Sequence, residues 1–228
     1  MKKILVVGHS HVNALKDSNP EEGFEFCSLV GANGLANFVK KNIPPSEYDA
    51  LVCSIQGSQY NIFGLVKHQQ PFDFYLSDEP GLPIDEDAEL LPLSLVTAVF
   101  KRDLRATFNI LNTIKKISRI KTYFLESPPP VPSEDHIRKH PSSFREKINN
   151  NGVSSAVFRY KLWRLQAKLV WEHCVNLDLD YIPTPKDAQD EQGFLREPYW
   201  NIDPTHGNTA YGALVVSQIR SLHYSKGQ

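Results

Sequence analysis

Three cysteines are all that this 228-residue chain contains. Cys27, Cys53 and Cys174 each lie in an apolar segment, none has a CxxC partner, and an odd number fits poorly with a disulfide framework, so they read as reduced core residues. An excess of charge of one sign is missing too. Lys and Arg number 25 against 26 Asp and Glu, a formal net charge of -1. No bulk field therefore draws the chain to nucleic acid or to an anionic membrane. No apolar run is long enough for a membrane span. The first run stops at Val7 and gives way to Gly8, His9, Ser10 and His11. That is too short for a secretory h-region, and no small-residue cleavage site follows, so a cytoplasmic protein is expected. Internal repeats and low-complexity tracts are absent, and 12 Gly with 16 Pro is an ordinary content, unlike collagen-like or disordered chains. What is present is 41% apolar and 11% aromatic residues, enough for one full-sized core and a single domain over 1–228.

Five short runs over 3–7, 25–30, 49–55, 121–126 and 180–183 are rich in Val, Ile, Leu, Phe, Tyr or Cys and read as buried strands. Helical stretches are expected over 33–42, 95–118, 155–176 and 209–222. Within 95–118 the residues Leu95, Val99, Leu104, Phe108, Leu111 and Ile114 recur at about helical spacing, with Lys101, Arg102, Lys115 and Lys116 off that stripe. Strands alternating with helices imply parallel strands joined by right-handed crossovers, hence a three-layer α/β/α sandwich with a five-stranded parallel sheet. Two insertions, 67–92 with four prolines and an acidic cluster and 128–151 with its PPPVP run, read as long loops or lids. They fall where ligand pockets of such folds are built, beyond the carboxyl ends of the strands. Loops without a role remain the alternative.

Two segments carry candidate chemistry. Gly8-His9-Ser10-His11 follows the first strand and precedes a helical turn, which would expose the Ser10 hydroxyl beside backbone N–H groups able to stabilise an oxyanion. An N-cap serine is the plainer reading. Asp203-Pro204-Thr205-His206-Gly207-Asn208 precedes the last helix. A carboxylate three residues ahead of a histidine can turn back onto Nδ1 and leave Nε2 free as a base, although Asp203 could instead cap the helix. No GxxxxGK(S/T) phosphate loop, GxGxxG fingerprint or GxSxG elbow occurs.

Together these segments resemble the GDS and DxxHxNxxG blocks of the SGNH (GDSL-type) hydrolases, a superfamily of esterases, lipases, carbohydrate deacetylases and O-acyltransferases. His9 stands where the GDS block has Asp, Asn208 falls at the Asn of the DxxHxNxxG block, and Gly212 stands one residue beyond its final Gly. The resemblance implies a flavodoxin-like sheet, with Ser10 as nucleophile and backbone oxyanion donor, His206 as general base and Asp203 orienting it. Gly31 and Gly34 are both offered for the second-block glycine, and Gly34, at a helix start, fits better. The third block is irregular. Gln59 is in strict register with the family's oxyanion Asn, while Asn61 has the matching side chain two residues late. A small-molecule or glycan ester substrate is implied, with a carbohydrate O-acyl group the expected target, no cofactor, and either hydrolysis or transfer to an acceptor.

Alternatives stay open. A binding module that keeps the fold without turnover would explain the irregular third block. A metal-dependent hydrolase could use His9 and His11, but HxH barrel enzymes need about 250 residues and eight strands. His11 reads instead as a pocket wall or substrate donor, and no metal is expected. Tyr199 and Trp200 could stack on a sugar or acyl group, or anchor the loop to the core. Arg138, Lys139, Arg145 and Lys147 could meet an anionic substrate or form a solvated face.

Overall fold

The continuous apolar runs become the strands of one parallel sheet. The structure is a computed structural model that describes residues 3–20, 22–29, 48–55 and 59–225. In chain order the elements are β1 (Lys3–Gly8), α1 (His11–Asp17), β2 (Phe24–Ser28), β3 (Tyr48–Ser54), α2 (Gln59–Gly64), β4 (Phe72–Asp73), β5 (Glu89–Leu90), α3 (Leu93–Asp103), α4 (Arg105–Ile117), β6 (Lys121–Leu125), α5 (Glu134–Lys139), α6 (Arg145–Asn151), α7 (Ala156–Asn176), β7 (Asp180–Ile182) and α8 (Thr209–Ser225). The main sheet runs β2-β1-β3-β6-β7, and every pairing in it is parallel. This is the expected three-layer α/β/α arrangement with five parallel strands. The helix expected over 33–42, together with Gly31 and Gly34, lies outside the described residues.

Each inner strand is buried on both faces because its side chains alternate between two cores. Leu5, Val7, Leu51 and Cys53 face the side filled by α3, α4 and α7, through Phe100, Leu111, Leu162 and Leu165. Ile4, Val6, Ala50 and Val52 face the opposite side, where Val12 and Leu15 of α1 meet Tyr211, Val215 and Ile219 of α8. Cys53 and Cys174 are buried free thiols and Cys27 is a half-buried one.

Three expectations are corrected. The helix expected over 95–118 is two helices. In the first, Val96 and Phe100 are buried while Leu95 is exposed, so the inward stripe begins at Val96 and not at Leu95. The chain turns at Leu104 (φ -77°, ψ -4°), a fully buried residue. The 128–151 insertion is not a loop, since it forms α5 and α6, and Ser133 caps α5 by accepting from the His136 N–H at 3.1 Å. Finally, α2 supplies a helix where only a loop was expected. The 67–92 insertion is mostly irregular, tied by the two-residue pairing of β4 and β5.

Helix α7 explains how both insertions are held. Most of its length from Phe158 to Val170 is buried, Arg159 and Lys161 included. The Lys161 ammonium donates to both carboxylate oxygens of Asp73 at 2.8 Å, with both side chains almost wholly buried. The Arg159 guanidinium donates to the carbonyls of Ser154, Val131 and Pro132. Removing either partner of such a buried pair leaves an uncompensated charge at a cost of about 3–5 kcal/mol. Among the described residues no helix is long and apolar enough to cross a membrane.

Candidate active site

Close backbone approaches at the sheet's carboxyl edge put Ser10 in place. A Cβ on Gly8 would stand 2.2 Å from the Ser54 carbonyl oxygen, so only glycine lets β1 end this near β3, and the His9 N–H donates to that same oxygen at 3.2 Å. Ser10 then starts α1, but its side chain caps nothing. The exposed hydroxyl is directed to His206, with Oγ 2.7 Å from Nε2. The N-cap reading of this serine therefore does not describe its side chain.

The histidine comes from a loop braced along its whole length. Trp200 and Gly207 form an antiparallel bridge, and the Asn208 N–H donates to the Tyr199 carbonyl at 2.9 Å. The Asn208 side-chain amide donates to the carbonyls of Pro198 and Trp200, and its Oδ1 accepts from the N–H groups of Ala210 and Tyr211. Asn208, not Asp203, caps α8. Asp203 instead accepts from His206 Nδ1 at 3.0 Å and from its backbone N–H at 2.9 Å. It accepts also from the Thr205 N–H at 2.8 Å and from Asn201 Nδ2 at 2.7 Å. Burial by itself would raise the Asp203 carboxyl. The hydrogen bond and charge of His206 and the Thr205 and His206 N–H groups outweigh it, holding the acid well below the usual carboxylate range.

Gly212 sets the distance between the halves. A Cβ there would lie 2.0 Å from the Ala14 carbonyl oxygen, so α8 packs backbone to backbone on α1, and the loop entering α8 is thereby held over the serine that starts α1. A cleft of about 410 Å³ opens above the pair. It is lined by His9, Ser10, His11 and Asn61, by residues 142–144 and by residues 203–206.

No family model and no curated protein sequence matches the chain. Solved structures do. A Bacteroides fragilis protein assigned as an acylhydrolase superposes with TM-score 0.59 at 9% identity, covering 100% of this chain and 88% of that one. A GDSL-like lipase from Bacteroides thetaiotaomicron gives 0.57 at 9% identity, covering 99% of this chain and 89% of that one. An acetyl xylan esterase gives 0.51 at 12% identity, covering 96% and 98%. The chain has the SGNH hydrolase fold.

On the SGNH fold the remaining expected residues are placed as follows. Asn61 is buried at the cleft with its Nδ2 lacking an acceptor. Gln59 is not among the lining residues. Its amide donates to the Asp103 carbonyl at 3.4 Å, at the break between α3 and α4. His11 packs on the His206 ring with centroids 4.5 Å apart. Burial, followed by the neighbouring His206, pushes His11 down to about 3, with a smaller lowering from His9 and an opposing pull from Asp203. His9 also lines the cleft, and among the described residues no three His, Cys, Asp or Glu side chains gather as a metal-ion site.

Tyr199 and Trp200 stand outside the cleft lining and pack against the α1/α8 core, where Trp200 Nε1 donates to the Leu195 carbonyl at 2.6 Å. They anchor the histidine loop. Arg138 is paired with Glu134 along α5, and none of Arg138, Lys139, Arg145 or Lys147 reaches the cleft. Sequence reasoning missed Ser142, Ser143 and Phe144, which line the cleft from the 128–151 insertion, because nothing in their spacing marks them. Thr205 sat inside the DPTH motif, and its Oγ1 lies 3.1 Å from His206 Nδ1.

Proposed function

We propose that the chain is a single-domain, serine-dependent ester hydrolase or acyltransferase acting on O-acyl groups of a carbohydrate. The observation that carries this reading is the unbroken relay of Ser10 Oγ to His206 Nε2 at 2.7 Å and His206 Nδ1 to Asp203 Oδ1 at 3.0 Å. It opens into a cleft at the carboxyl edge of a parallel sheet. With Nδ1–H donating to Asp203, Nε2 accepts the Ser10 proton as Oγ bonds to the ester carbonyl carbon. The carbonyl π electrons move onto oxygen. The donors proposed for that charge are the Ser10 backbone N–H and the Asn61 amide, a buried donor without an acceptor. Collapse of the adduct expels the alcohol, which takes the proton from His206. Water or an acceptor hydroxyl then attacks the acyl-serine with His206 again as base, restoring Ser10.

The ionised Asp203 stabilises the imidazolium formed in each half reaction. His11, neutral at ordinary pH, walls the cleft without adding a competing charge. The acetyl xylan esterase and the GDSL-like lipase that share the fold support ester chemistry. The carbohydrate assignment rests on the former. An exposed Ser10 hydroxyl hydrogen-bonded to a braced histidine favours turnover over a binding module. The wild type is expected to hydrolyse p-nitrophenyl acetate, with His206→Ala reducing turnover by about 10³-fold or more. Equal turnover by the two proteins would overturn the assignment.

A further inference from the structure

A second concavity, of about 580 Å³, lies beyond the carboxyl ends of β6 and β7 on the α7 side of the sheet, and it shares no lining residue with the Ser10 cleft. Its polar groups come in matched pairs. Arg164 and Lys168, one turn apart on α7, reach Glu79 and Asp78 of the 67–92 insertion, each at 2.6 Å. At the back, the buried Glu126 carboxyl accepts from the Tyr181 hydroxyl at 3.0 Å and the Thr184 N–H at 2.6 Å. Trp171, the next residue along this face of α7, lines the cavity with 49% of its surface exposed.

The charge pattern selects the ligand. Both cations are already matched by carboxylates and Glu126 adds a third acid, so an anion finds no unpaired positive charge there. A purely apolar ligand would bury these ion pairs without replacing their hydration, at a desolvation cost. A ligand carrying several hydroxyls suits them, because each hydroxyl can both donate to a carboxylate and accept from a guanidinium or ammonium. An exposed indole suits a flat face of C–H groups. A pyranose ring has both. We propose that this cavity binds a neutral saccharide, with Trp171 stacked on the sugar face and the Arg164–Glu79 and Lys168–Asp78 pairs bonding its hydroxyls.

The site does not depend on the ester-cleavage reading, and its test does not use turnover. Full-length Ser10→Ala protein is titrated calorimetrically with three neutral probes, xylohexaose, cellohexaose and N-acetylchitohexaose, and with inorganic sulfate as the anionic comparison. At least one saccharide should bind saturably. Trp171→Ala in the same background should weaken it at least about tenfold (about 1.4 kcal/mol), and Trp171→Tyr should recover most of the loss. Trp171→Ala in the otherwise wild-type chain should leave p-nitrophenyl acetate hydrolysis unchanged, which separates this site from the Ser10 cleft. Absence of saccharide binding up to about 10 mM, binding indifferent to Trp171→Ala, or sulfate binding more tightly than every saccharide would overturn the proposal.

Discussion

The two sides of the Ser10 cleft are built on opposite terms. On the histidine side, from Tyr199 to Asn208, polar groups are heavily partnered. Asp203 accepts from four donors besides the Thr205 hydroxyl, and the Asn208 side chain makes four hydrogen bonds. On the amide side, Asn61 buries a donor that has no acceptor, which ordinarily costs about 1–3 kcal/mol. The first side must hold one geometry before substrate arrives. In the proposed reaction the second keeps a donor in reserve for a charge that exists only in the transition state, which is how an oxyanion site gains its selectivity.

That contrast is open to direct attack. Asn61→Ala should lower kcat about 10²–10³-fold, while thermal stability stays within about 1 kcal/mol of wild type because the lost packing is offset by removing an unpaired buried donor. Asn208→Ala should show the reverse emphasis, losing about 1–2 kcal/mol through its cap and loop hydrogen bonds. Gln59→Ala should leave turnover near wild type, since Gln59 serves the α3/α4 break. A large kcat loss in Gln59→Ala with none in Asn61→Ala would assign the oxyanion amide the other way.

The joint between the sides gives the next largest effect. Gly212→Ala puts a methyl group 2.0 Å from the Ala14 carbonyl oxygen, and α8 must shift off α1. A stability loss of about 1–3 kcal/mol is expected, together with a turnover loss larger than the stability loss explains, because His206 moves relative to Ser10. Wild-type turnover in a destabilised Gly212→Ala protein would show that the helix contact does not set the catalytic distance.

The smallest effect concerns His11. Its folded value of about 3 lies below the ordinary 6.5, so the folded state binds fewer protons than the unfolded chain between these values. Its contribution is complete above about pH 6.5 and is lost as pH falls toward 3. Asp203 is also held below its ordinary value, so its own contribution is lost only below about pH 4. Between pH 7 and about 4.5, His11→Asn should therefore flatten the acid-side fall of stability by roughly 1–3 kcal/mol, measured by denaturant unfolding. An unchanged slope would mean that His11 is free to protonate in the folded protein.

What the sequence showed follows the same division. Each of the five strands was expected within two residues of its observed ends, the three inner ones because a strand buried on both faces needs an unbroken apolar run. The histidine side was readable because its geometry is local. Asp203, His206, Asn208 and Gly212 sit within ten residues, and their offsets are dictated by one loop and one helix start. The amide side was not readable. Whether Gln59 or Asn61 faces Ser10 depends on α2, whose start follows residues that carry no strong helix signal, and on a helix break at Leu104 more than forty residues away. The cleft wall at Ser142, Ser143 and Phe144 depends on how α7 grips the insertions through buried Arg159 and Lys161, and hydrophobic periodicity gives no sign of buried charges.

The central claim is that Ser10 is a nucleophile activated by His206. The most direct measurement is labelling with a fluorophosphonate probe followed by mass-spectrometric location of the adduct. One adduct on Ser10 is expected in the wild type, slowed strongly in His206→Ala and absent in Ser10→Ala. Equal labelling of wild type and Ser10→Ala, or an adduct on another residue, would contradict it.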